Sequence, residues 1–562
     1  MERPPRNRWR ALAVPALALA ASALALPWNL GVFAGGAEFR AGLGRVVDFA
    51  ASLRRPDTSE EMLARVAALA VETLAVALLG VALGLLIAWP LSLGASRSVA
   101  LGASKSQRPP GRALLQTSRF ALDVLRGVPD FVWALLFSVA TGPNAVAGTL
   151  AIGASVGGIL GKVLSEQWDN VRPERYQALW SCGASRLCAF LYGIQPLAAR
   201  HALSFVLMRT ECAIRNATVI GVVGGGGLGT ALWDEFTNED SHAAMARMAT
   251  VLLAMLTLTA ATDVLANLLR RHLRVDTSHP RGAGDSSVRA TNKRRWTAVL
   301  SAGAILGTLA WQLRGPLARA SEGSVDWGFA ASYFGGLAIP DLSPPTLLSA
   351  LSEARIPLAL GVIATAAAVL AAAVLALPAS VSFQLEPHRH TGARRGLPVI
   401  AAAWVLVACT RGLCLVLRGI PEVAWVLVLS IFFRQGITPC ALAIALHGTG
   451  VLARVFTEAV DDIPHERLGR VPGSRAAQTY LYAAIPSAWP TWKTYSFFQF
   501  EVNVRTGVVL GWVGAGGLGD KFDSNRQWLH LHEASTYLWS MILLTVAIDR
   551  LSRRLQLRRI RC

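Results

Sequence analysis

Charged residues are scarce in this chain, and acidic residues are scarcer than basic ones. Only 16% of the 562 residues are charged, with 54 Lys and Arg against 35 Asp and Glu. Hydrophobic residues make up 53%, and the mean hydropathy is +0.43. This composition departs from that of a soluble globular domain. It predicts a membrane protein.

Cysteine and histidine are too few and too scattered to indicate a metal or redox site. The seven cysteines show no C-x-x-C spacing, and the ten histidines form no ligand pattern with them. A zinc site and a disulfide framework are therefore not indicated, and we expect no metal and no cofactor. No clustered catalytic set is present either, so we expect no catalytic residues and no membrane-embedded enzyme.

Long apolar runs are abundant, and each is long enough to cross a hydrocarbon core. Only helices and closed barrels satisfy every backbone group in lipid, so we predict an all-α polytopic membrane protein with about 12 transmembrane helices. The predicted spans are 10–30, 66–93, 113–141, 144–164, 198–224, 245–269, 296–313, 354–381, 397–433, 437–456, 490–514 and 535–553.

The basic residues cluster in some loops and avoid others, which predicts the orientation. Basic clusters occupy both termini, the linker 270–295 and the segments around Arg108 and Arg394. By the positive-inside rule these lie in the cytoplasm, so we expect both termini there. The net charge of +19 then reflects orientation, and nucleic-acid binding is not expected. We interpret the first apolar run as a retained signal-anchor helix.

An internal repeat organises the chain. RGVPDFVWALLF at 126–137 recurs as RGIPEVAWVLVL at 418–429, an offset of 292, and later matches continue at an offset of 290. Both copies carry an even number of predicted spans, so the repeats have parallel topology. We predict a first repeat at 1–273, a basic cytoplasmic linker at 274–295 and a second repeat at 296–562.

Each repeat contains one Arg-Gly-x-Pro that interrupts an apolar run. Arg126 and Pro129 belong to the first copy, and Arg418 and Pro421 to the second. Because proline removes a backbone donor and clashes with the preceding turn, a helix break is expected at each site. Two roles stay open for the arginines: anchors that reach the membrane interface, or groups at a break that moves during gating.

A glycine-rich segment also occurs twice, as VIGVVGGGGLGTAL at 219–232 and VLGWVGAGGLGDKF at 509–522. A dinucleotide-binding turn with this spacing needs a preceding strand within a βαβ unit. Here the segment closes an apolar helix, so we predict close helix approach and a gate. The glycines of the motif are Gly224, Gly226, Gly229, Gly514, Gly516 and Gly519.

The polar segment 166–196 resembles the E-A-A…G…P loop of ABC-importer permeases, which docks into a groove on the ATPase subunit. The matching residues are Gln177, Ala178, Gly183 and Pro196. The second repeat retains Gly473 and Pro486, but Arg467 and Leu468 replace its small-residue start. The resemblance therefore implies an ATPase contact in the first repeat and leaves that of the second open.

The segments Glu211–Gly229 and Glu501–Gly519, together with Arg-Gly-x-Pro, look like the phosphonate-importer permease family of the PhnE type, here as a tandem fusion. The resemblance implies a type I ABC-importer permease fold in a bacterial inner membrane, with alternating access at the interface of the two repeats. It also implies two cytoplasmic ATPases and an extracytoplasmic substrate-binding protein. The chain has no G-x-x-x-x-G-K-[ST] motif, so ATP is expected on a separate partner.

Charged and polar residues precede both glycine segments on the same predicted helices, namely Glu211, Arg215, Asn216, Glu501, Asn503 and Arg505. They either line a pathway, where arginine compensates a phosphonate's charge, or form Glu–Arg pairs at i,i+4 that neutralise themselves. We interpret His447, also within a span, as a buried packing residue rather than a proton relay.

Other functions stay open beside a phosphonate, phosphite or phosphate permease. Permeases for methionine or glycine betaine carry similar glycine runs. A secondary transporter would need intramembrane acids for ion coupling and no ATPase partner, and the Gly183…Pro196 segment speaks against it.

Overall fold

A computed structural model describes residues 36–100, 109–238, 241–275, 327–385, 396–464 and 476–557, with a few isolated positions before and between them. Within these ranges every regular element is a helix, which confirms the predicted fold class. The predicted spans 10–30 and 296–313 fall largely outside the described residues, as do Gly473 and most of the linker.

The helices of the first repeat are α1 Gly36–Arg54, α2 Glu60–Ala95, α3 Arg97–Ala100, α4 Pro109–Gly127, α5 Asp130–Thr141, α6 Ala145–Asp169, α7 Gln177–Ser181, α8 Arg186–Ala189, α9 Gln195–Ile220, α10 Leu228–Thr237 and α11 Ser241–Val275. Those that follow are α12 Trp327–Ala338, α13 Pro344–Glu353, α14 Arg355–Ala379, α15 Val381–Gln384, α16 Leu397–Gly419, α17 Glu422–Phe433, α18 Ile437–Asp461, α19 Ala476–Thr479, α20 Ile485–Leu510, α21 Leu518–Gln527 and α22 Leu531–Leu557.

Seven segments among the described residues are long and apolar enough to cross a membrane. They are Glu60–Ala95, Ala145–Asp169, Ala243–Ala266, Pro344–Ala379, Pro398–Gly419, Ile437–Asp461 and Leu531–Leu551. The helices α5 and α17 are apolar but only 12 residues long, because the Arg-Gly-x-Pro motif divides a longer apolar run in each repeat.

Both predicted helix breaks are present, and the same pattern of hydrogen bonding stabilises each of them. Pro129 and Pro421 occupy the N-cap positions of α5 and α17. The indole Nε1 of Trp133 donates to the carbonyl of Leu125 at 3.1 Å, and Trp425 donates to Leu417 at 3.1 Å. A carbonyl that the break leaves without a helical partner is thus satisfied by a side chain from the next helix.

An aspartate and a serine precede the first long helix of each repeat. The carboxylate of Asp57 accepts a hydrogen bond from the backbone N–H of Ser59 at 2.9 Å, and Asp341 accepts one from Ser343 at 2.9 Å. These backbone bonds, helped by the serine hydroxyls, hold the pKa of both carboxyl groups below the usual range. The repeat therefore extends to loops that carry no recognisable motif.

The described chain packs as two compact units, residues 51–334 and residues 1–50 with 335–562. In the second unit α1 lies on the end of α17, where Arg45 Nε donates to the carbonyl of Ile431 at 2.6 Å. The rings of Phe39 and Phe432 meet edge to face at 6.0 Å. Helix α1 thus packs with the second repeat, whereas the predicted repeat boundaries follow sequence similarity and stay a prediction.

Small residues bring α2 and α6 together in the first unit. A Cβ added at Gly80 would lie 2.7 Å from the Ile152 side chain, and one at Gly153 would lie 2.6 Å from Leu83. Ile152 is fully buried in the core that this contact forms. In lipid the hydrophobic effect does not drive helices together, so the van der Waals contacts that this close backbone approach allows are what favours their association.

Gly80→Ala should destabilise the chain, because its methyl group would overlap Ile152. We expect a loss of about 1–3 kcal/mol, typical of overpacking in a filled core, measured as a lower thermal midpoint in detergent. Gly412→Ala is the matched control, since nothing lies within 4 Å of a Cβ at that helical position. Equal midpoints for the two variants would contradict the packing argument.

Candidate functional site

Asp130 ties three helices together directly after the first helix break. Its carboxylate accepts hydrogen bonds from the hydroxyl of Ser155 on α6 and from the amide of Asn216 on α9. Asp130 is also the first residue of α5, where a negative charge is favoured by the helix dipole. The break is therefore fixed to both neighbouring helices by one carboxylate.

The second repeat replaces this clamp with a histidine and a glutamate. At the repeat offset of 292, Glu422 occupies the position that corresponds to Asp130, and His447 occupies the position that corresponds to Ser155. The Nε2 of His447 lies 3.4 Å from Glu422 Oε1, and its Nδ1 lies 3.1 Å from the carbonyl oxygen of Ile420. His447 is a buried and hydrogen-bonded residue, in agreement with the interpretation of it as a packing histidine.

The glycine segments end α9 and α20, as predicted. Each helix ends where Gly224 or Gly514 leaves the helical conformation, with φ angles of 91° and 120°. The chain then leaves the helix through Gly226 and Gly516, with φ angles of 79° and 74°. Only glycine adopts these angles without strain.

The last glycine of each motif is required by contact rather than by backbone angle. A Cβ at Gly229 would overlap the carbonyl oxygen of Thr218, and one at Gly519 would overlap that of Val508. The helix after the turn thus lies directly against the end of the helix before it. The duplicated glycines build a tight reversal of the chain in each repeat.

In the first repeat this reversal borders a cavity of about 400 Å³. Its polar side chains are Glu72 from α2, Asn144 before α6 and Thr230 from α10, and the glycine turn forms its wall. A Cβ added at Gly226 would lie 2.5 Å from Glu72 Oε1. At the corresponding turn of the second repeat, Ile356 Cδ1 lies 3.9 Å from a Cβ built at Gly516, so an apolar side chain stands there in place of the acidic one.

The structure pairs Glu501 with Arg505 on α20. Arg505 Nη2 lies 3.2 Å from Glu501 Oε1, with both side chains largely buried, which supports an intrahelical pair at this site. The Nε atoms of Arg215 and Arg505 are both buried and make no hydrogen bond within the part of the chain that the structure describes. Lining of a pathway by Glu211 and Arg215 stays a prediction.

The two asparagines have different roles from each other. Asn216 belongs to the Asp130 clamp, whereas Asn503 lies in a buried ladder of the second repeat. Asn503 donates to Thr365 Oγ1 on α14 at 2.8 Å and accepts from Gln499 Nε2 at 2.8 Å. This ladder holds α20 to α14 through polar contacts that are costly to leave unsatisfied in an apolar surrounding.

The polar segment before α9 folds as two short helices, α7 and α8, joined by a turn at Gly183. Gly183 has a φ of 81°, and a Cβ there would meet open space. Gln177 and Ala178 are exposed at the start of α7, while Tyr176 is buried and packs edge to face on Trp180. The segment therefore presents a small exposed surface on a fixed base.

The corresponding segment of the second repeat is described only from Ala476 onward, so Gly473 lies outside it. Pro196 and Pro486 both stand in the first turn of the helix that follows, α9 or α20. A π-helical turn precedes each proline, Phe190–Ile194 or Tyr480–Ala484. The two repeats therefore enter these helices in the same way.

Arg126 is buried at 8% exposure, and its Nε lies 2.9 Å from Asp123 Oδ1. It therefore does not reach out to the surface as a plain anchor would, and it belongs to the structure of the break. Arg418 is half-buried at the equivalent position. The backbone N–H of each arginine also lies against a glycine of the next helix, Gly158 or Gly450.

Sequence reasoning did not assign the partners of the break. Asp130 and Glu422 directly follow the proline in both copies, and this repeated acid was the available signal. Ser155 and His447 lie 292 residues apart, which is the offset of the repeat, but this spacing pairs neither of them with an acid. The acid and its partner in each repeat lie on different helices. Hydrophobic periodicity along one helix does not predict a contact of this kind.

Comparisons with known proteins agree with this duplicated geometry. The family model described as "binding-protein-dependent transport system inner membrane component" matches twice, at residues 98–275 and 397–558. The chain is 28% identical to the phosphate-import permease protein PhnE of Mycolicibacterium smegmatis over 498 residues, which are 87% of this chain and 85% of that protein. It is 34% identical to the putative phosphite transport system permease protein HtxC of Stutzerimonas stutzeri over 42% of this chain and 78% of that one.

A solved methionine ABC transporter, MetNI in an inward-facing form, has 16% sequence identity and a TM-score of 0.34. The matched region covers 38% of this chain and 99% of that one.

Replacing Gly226 and Gly516 together with valine should abolish substrate uptake by cells that depend on this chain. Valine at a positive φ is strained in both turns, and at Gly226 it would also meet Glu72. Uptake would be measured with membrane abundance checked by immunoblot, and Gly412→Val is the matched control in open space. Normal uptake by the double variant would refute a gating role for the turns.

Proposed function

We propose that this chain, which belongs to the family of inner membrane components of binding-protein-dependent transport systems, is the permease subunit of an ATP-driven importer for a phosphorus oxyanion. Phosphonate, phosphite and phosphate are the candidate substrates. The observation that carries the proposal is the family match in both halves of one chain, combined with the same helix break and glycine reversal in each half. One fused chain would then supply both transmembrane halves.

The substrate class is supported by the names of the relatives and by the charges on two helices. The relatives named above are described as permeases for phosphate and phosphite. Arg215 and Arg505 place guanidinium groups on α9 and α20, and guanidinium matches the geometry of a phosphorus oxyanion. Glu501 compensates Arg505 before substrate arrives, which lowers the cost of a cation within a span.

The energy source is proposed to lie on a separate ATPase, in two copies. The chain contains no phosphate-binding loop of its own. The exposed surface of α7 and α8, with its turn at Gly183, is the proposed contact with the ATPase. The same orientation would place both termini and the linker on the ATPase side of the membrane, in agreement with their basic charge.

A substrate-binding protein on the opposite side completes the proposed importer. It would deliver the oxyanion to the side bounded by the glycine turns, since α9 and α20 run from the ATPase-facing segment to those turns. Residues that line this pathway are proposed to include Glu211, Arg215, Glu501 and Arg505.

Uptake by the reconstituted importer should discriminate by chemical class. With its binding protein and ATPase in proteoliposomes, we expect ATP-dependent uptake of a radiolabelled phosphorus oxyanion that is competed by phosphonate, phosphite or phosphate. Methionine and glycine betaine should not compete. If methionine alone competed, the proposed substrate class would be wrong. Uptake in the absence of ATP would overturn the ATP-driven mechanism.

The Gly183 turn should control ATPase attachment. Gly183→Val places a β-branched residue at a φ of 81°, which costs about 1–2 kcal/mol of local strain, so we expect a weakened complex. Gly183→Asn is the matched control, because asparagine tolerates this conformation. Native mass spectrometry should find one chain with two ATPase subunits for the native protein and loss of ATPase only for the valine variant. Two permease chains per ATPase pair would contradict the fusion proposal.

A further inference from the structure

A set of polar contacts that the transport assignment does not use occurs once in each repeat. We name it the Ser–Asp–Arg clasp, formed by Ser96, Arg119 and Asp169 in the first repeat and by Ser380, Arg411 and Asp461 in the second. Asp169 and Asp461 are the last residues of α6 and α18. Each contact described for the first clasp has a counterpart in the second, where the hydroxyl of Ser382 also donates to Asp461 Oδ1 at 2.9 Å.

The first clasp joins three helix ends to one carboxylate. Ser96, fully buried after the end of α2, donates its hydroxyl to Asp169 Oδ1 at 2.8 Å. The backbone N–H of Ser98 at the start of α3 donates to the same oxygen at 3.0 Å. Arg119 of α4 approaches Asp169 Oδ2 at 3.5 Å through Nη2, while its Nε donates to the carbonyl of Ala95 at 3.0 Å.

The second clasp repeats each of these bonds. Ser380 donates its hydroxyl to Asp461 Oδ1 at 2.5 Å, and the backbone N–H of Ser382 donates to it at 3.1 Å. Arg411 approaches Asp461 Oδ2 at 3.2 Å through Nη2, and its Nε donates to the carbonyl of Ala379 at 2.9 Å. Charge-assisted bonds of this kind are stronger than neutral ones.

The position of the clasp connects it to the proposed ATPase contact. In the first repeat Gln177 begins α7 only eight residues after Asp169. Arg186 of α8 donates through Nη1 to the carbonyl of Ala100 at 2.6 Å, so α3 is held by the clasp at one end and by the ATPase-facing segment at the other. A displacement of that segment must therefore move α2, α4 and α6 together.

We infer that Asp169 and Asp461 are positioning residues that transmit ATPase movement to the transmembrane helices, and that the second repeat is an active coupling point. This inference rests on the proposed function. Its basis is the complete second clasp, which persists although the small-residue start of the ATPase-facing segment is absent from that repeat. A half that no longer received force from an ATPase would not need the same four bonds at the same helix ends.

The test measures how many substrate molecules enter per ATP hydrolysed by the reconstituted importer. Asp169→Asn and Asp461→Asn keep the side-chain shape but remove the charge and one acceptor. We expect each to lower this ratio about three- to tenfold, which lies within the range found for residues that carry coupling between distant sites. The ATPase should still co-purify with both variants.

Glu458→Gln is the matched control, because it removes an acid one turn away on the same helix. That side chain is 62% exposed and pairs only locally with Arg454 in the contacts described, so its ratio should equal that of the native protein. Arg411→Lys is a second variant for the case in which Asp461→Asn does not fold. Lysine keeps the charge but cannot bridge Asp461 and the Ala379 carbonyl as the guanidinium does.

Three results would overturn the inference. If Asp461→Asn and Arg411→Lys took up as many substrate molecules per ATP as the native protein, the second repeat would not be a coupling point. A proportional fall of uptake and hydrolysis, with an unchanged ratio, would show that the clasp only stabilises the fold. Absence of ATP-dependent uptake in the native protein would instead refute the proposed function, on which the inference depends.

Discussion

A helix that stops within an apolar surrounding leaves backbone donors and acceptors that water cannot reach, and this constraint governs both repeats. Each repeat breaks a helix at Arg-Gly-x-Pro and satisfies the exposed carbonyl with a tryptophan indole N–H from the far side of the break. Each also places an acid at the first residue after the break. The break persists because its polar groups are paired internally, as lipid requires.

The repeats share their backbone design but differ in the polar groups that hold it. In the first repeat Asp130 binds Ser155 and Asn216, whereas in the second Glu422 faces His447. The ladder of Asn503, Gln499 and Thr365 belongs to the second repeat, and the acid beside the glycine turn belongs to the first.

These differences matter for a fused chain. Two identical subunits must carry identical polar groups, whereas a duplicated chain lets each half change its own. One of these differences falls at the helix break and one at the glycine turn, whereas the ladder lies between the buried faces of α14 and α20. Fusion thus permits two helix breaks with the same backbone geometry and different polar contacts.

Much of the framework could be predicted from the sequence because it depends on local rules. Proline in Arg-Gly-x-Pro and the glycines after Ile220 and Leu510 act on their own backbone, so both breaks were found where they were expected. The helices α1 and α10, of 19 and 10 residues, were not predicted, since they are neither apolar enough for a span nor marked by strong caps. Contacts such as Asp169 with Ser96 join residues 73 apart, and periodicity within one helix does not report such pairs.

In the proposed mechanism, the helices α9 and α20 connect the ATPase-facing segment to the glycine turns. Each has 26 residues and is thus about 39 Å long at the rise of an α-helix, enough to extend from one membrane face to the glycine reversal. A π-helical turn precedes the entry proline of each helix, and at the other end Gly224 and Gly514 leave the helical conformation, with φ angles of 91° and 120°. Each is therefore one continuous helix from its entry proline to its glycine turn, and the contacts of Asn216 with Asp130 and of Asn503 with Thr365 fix it to neighbouring helices along its length.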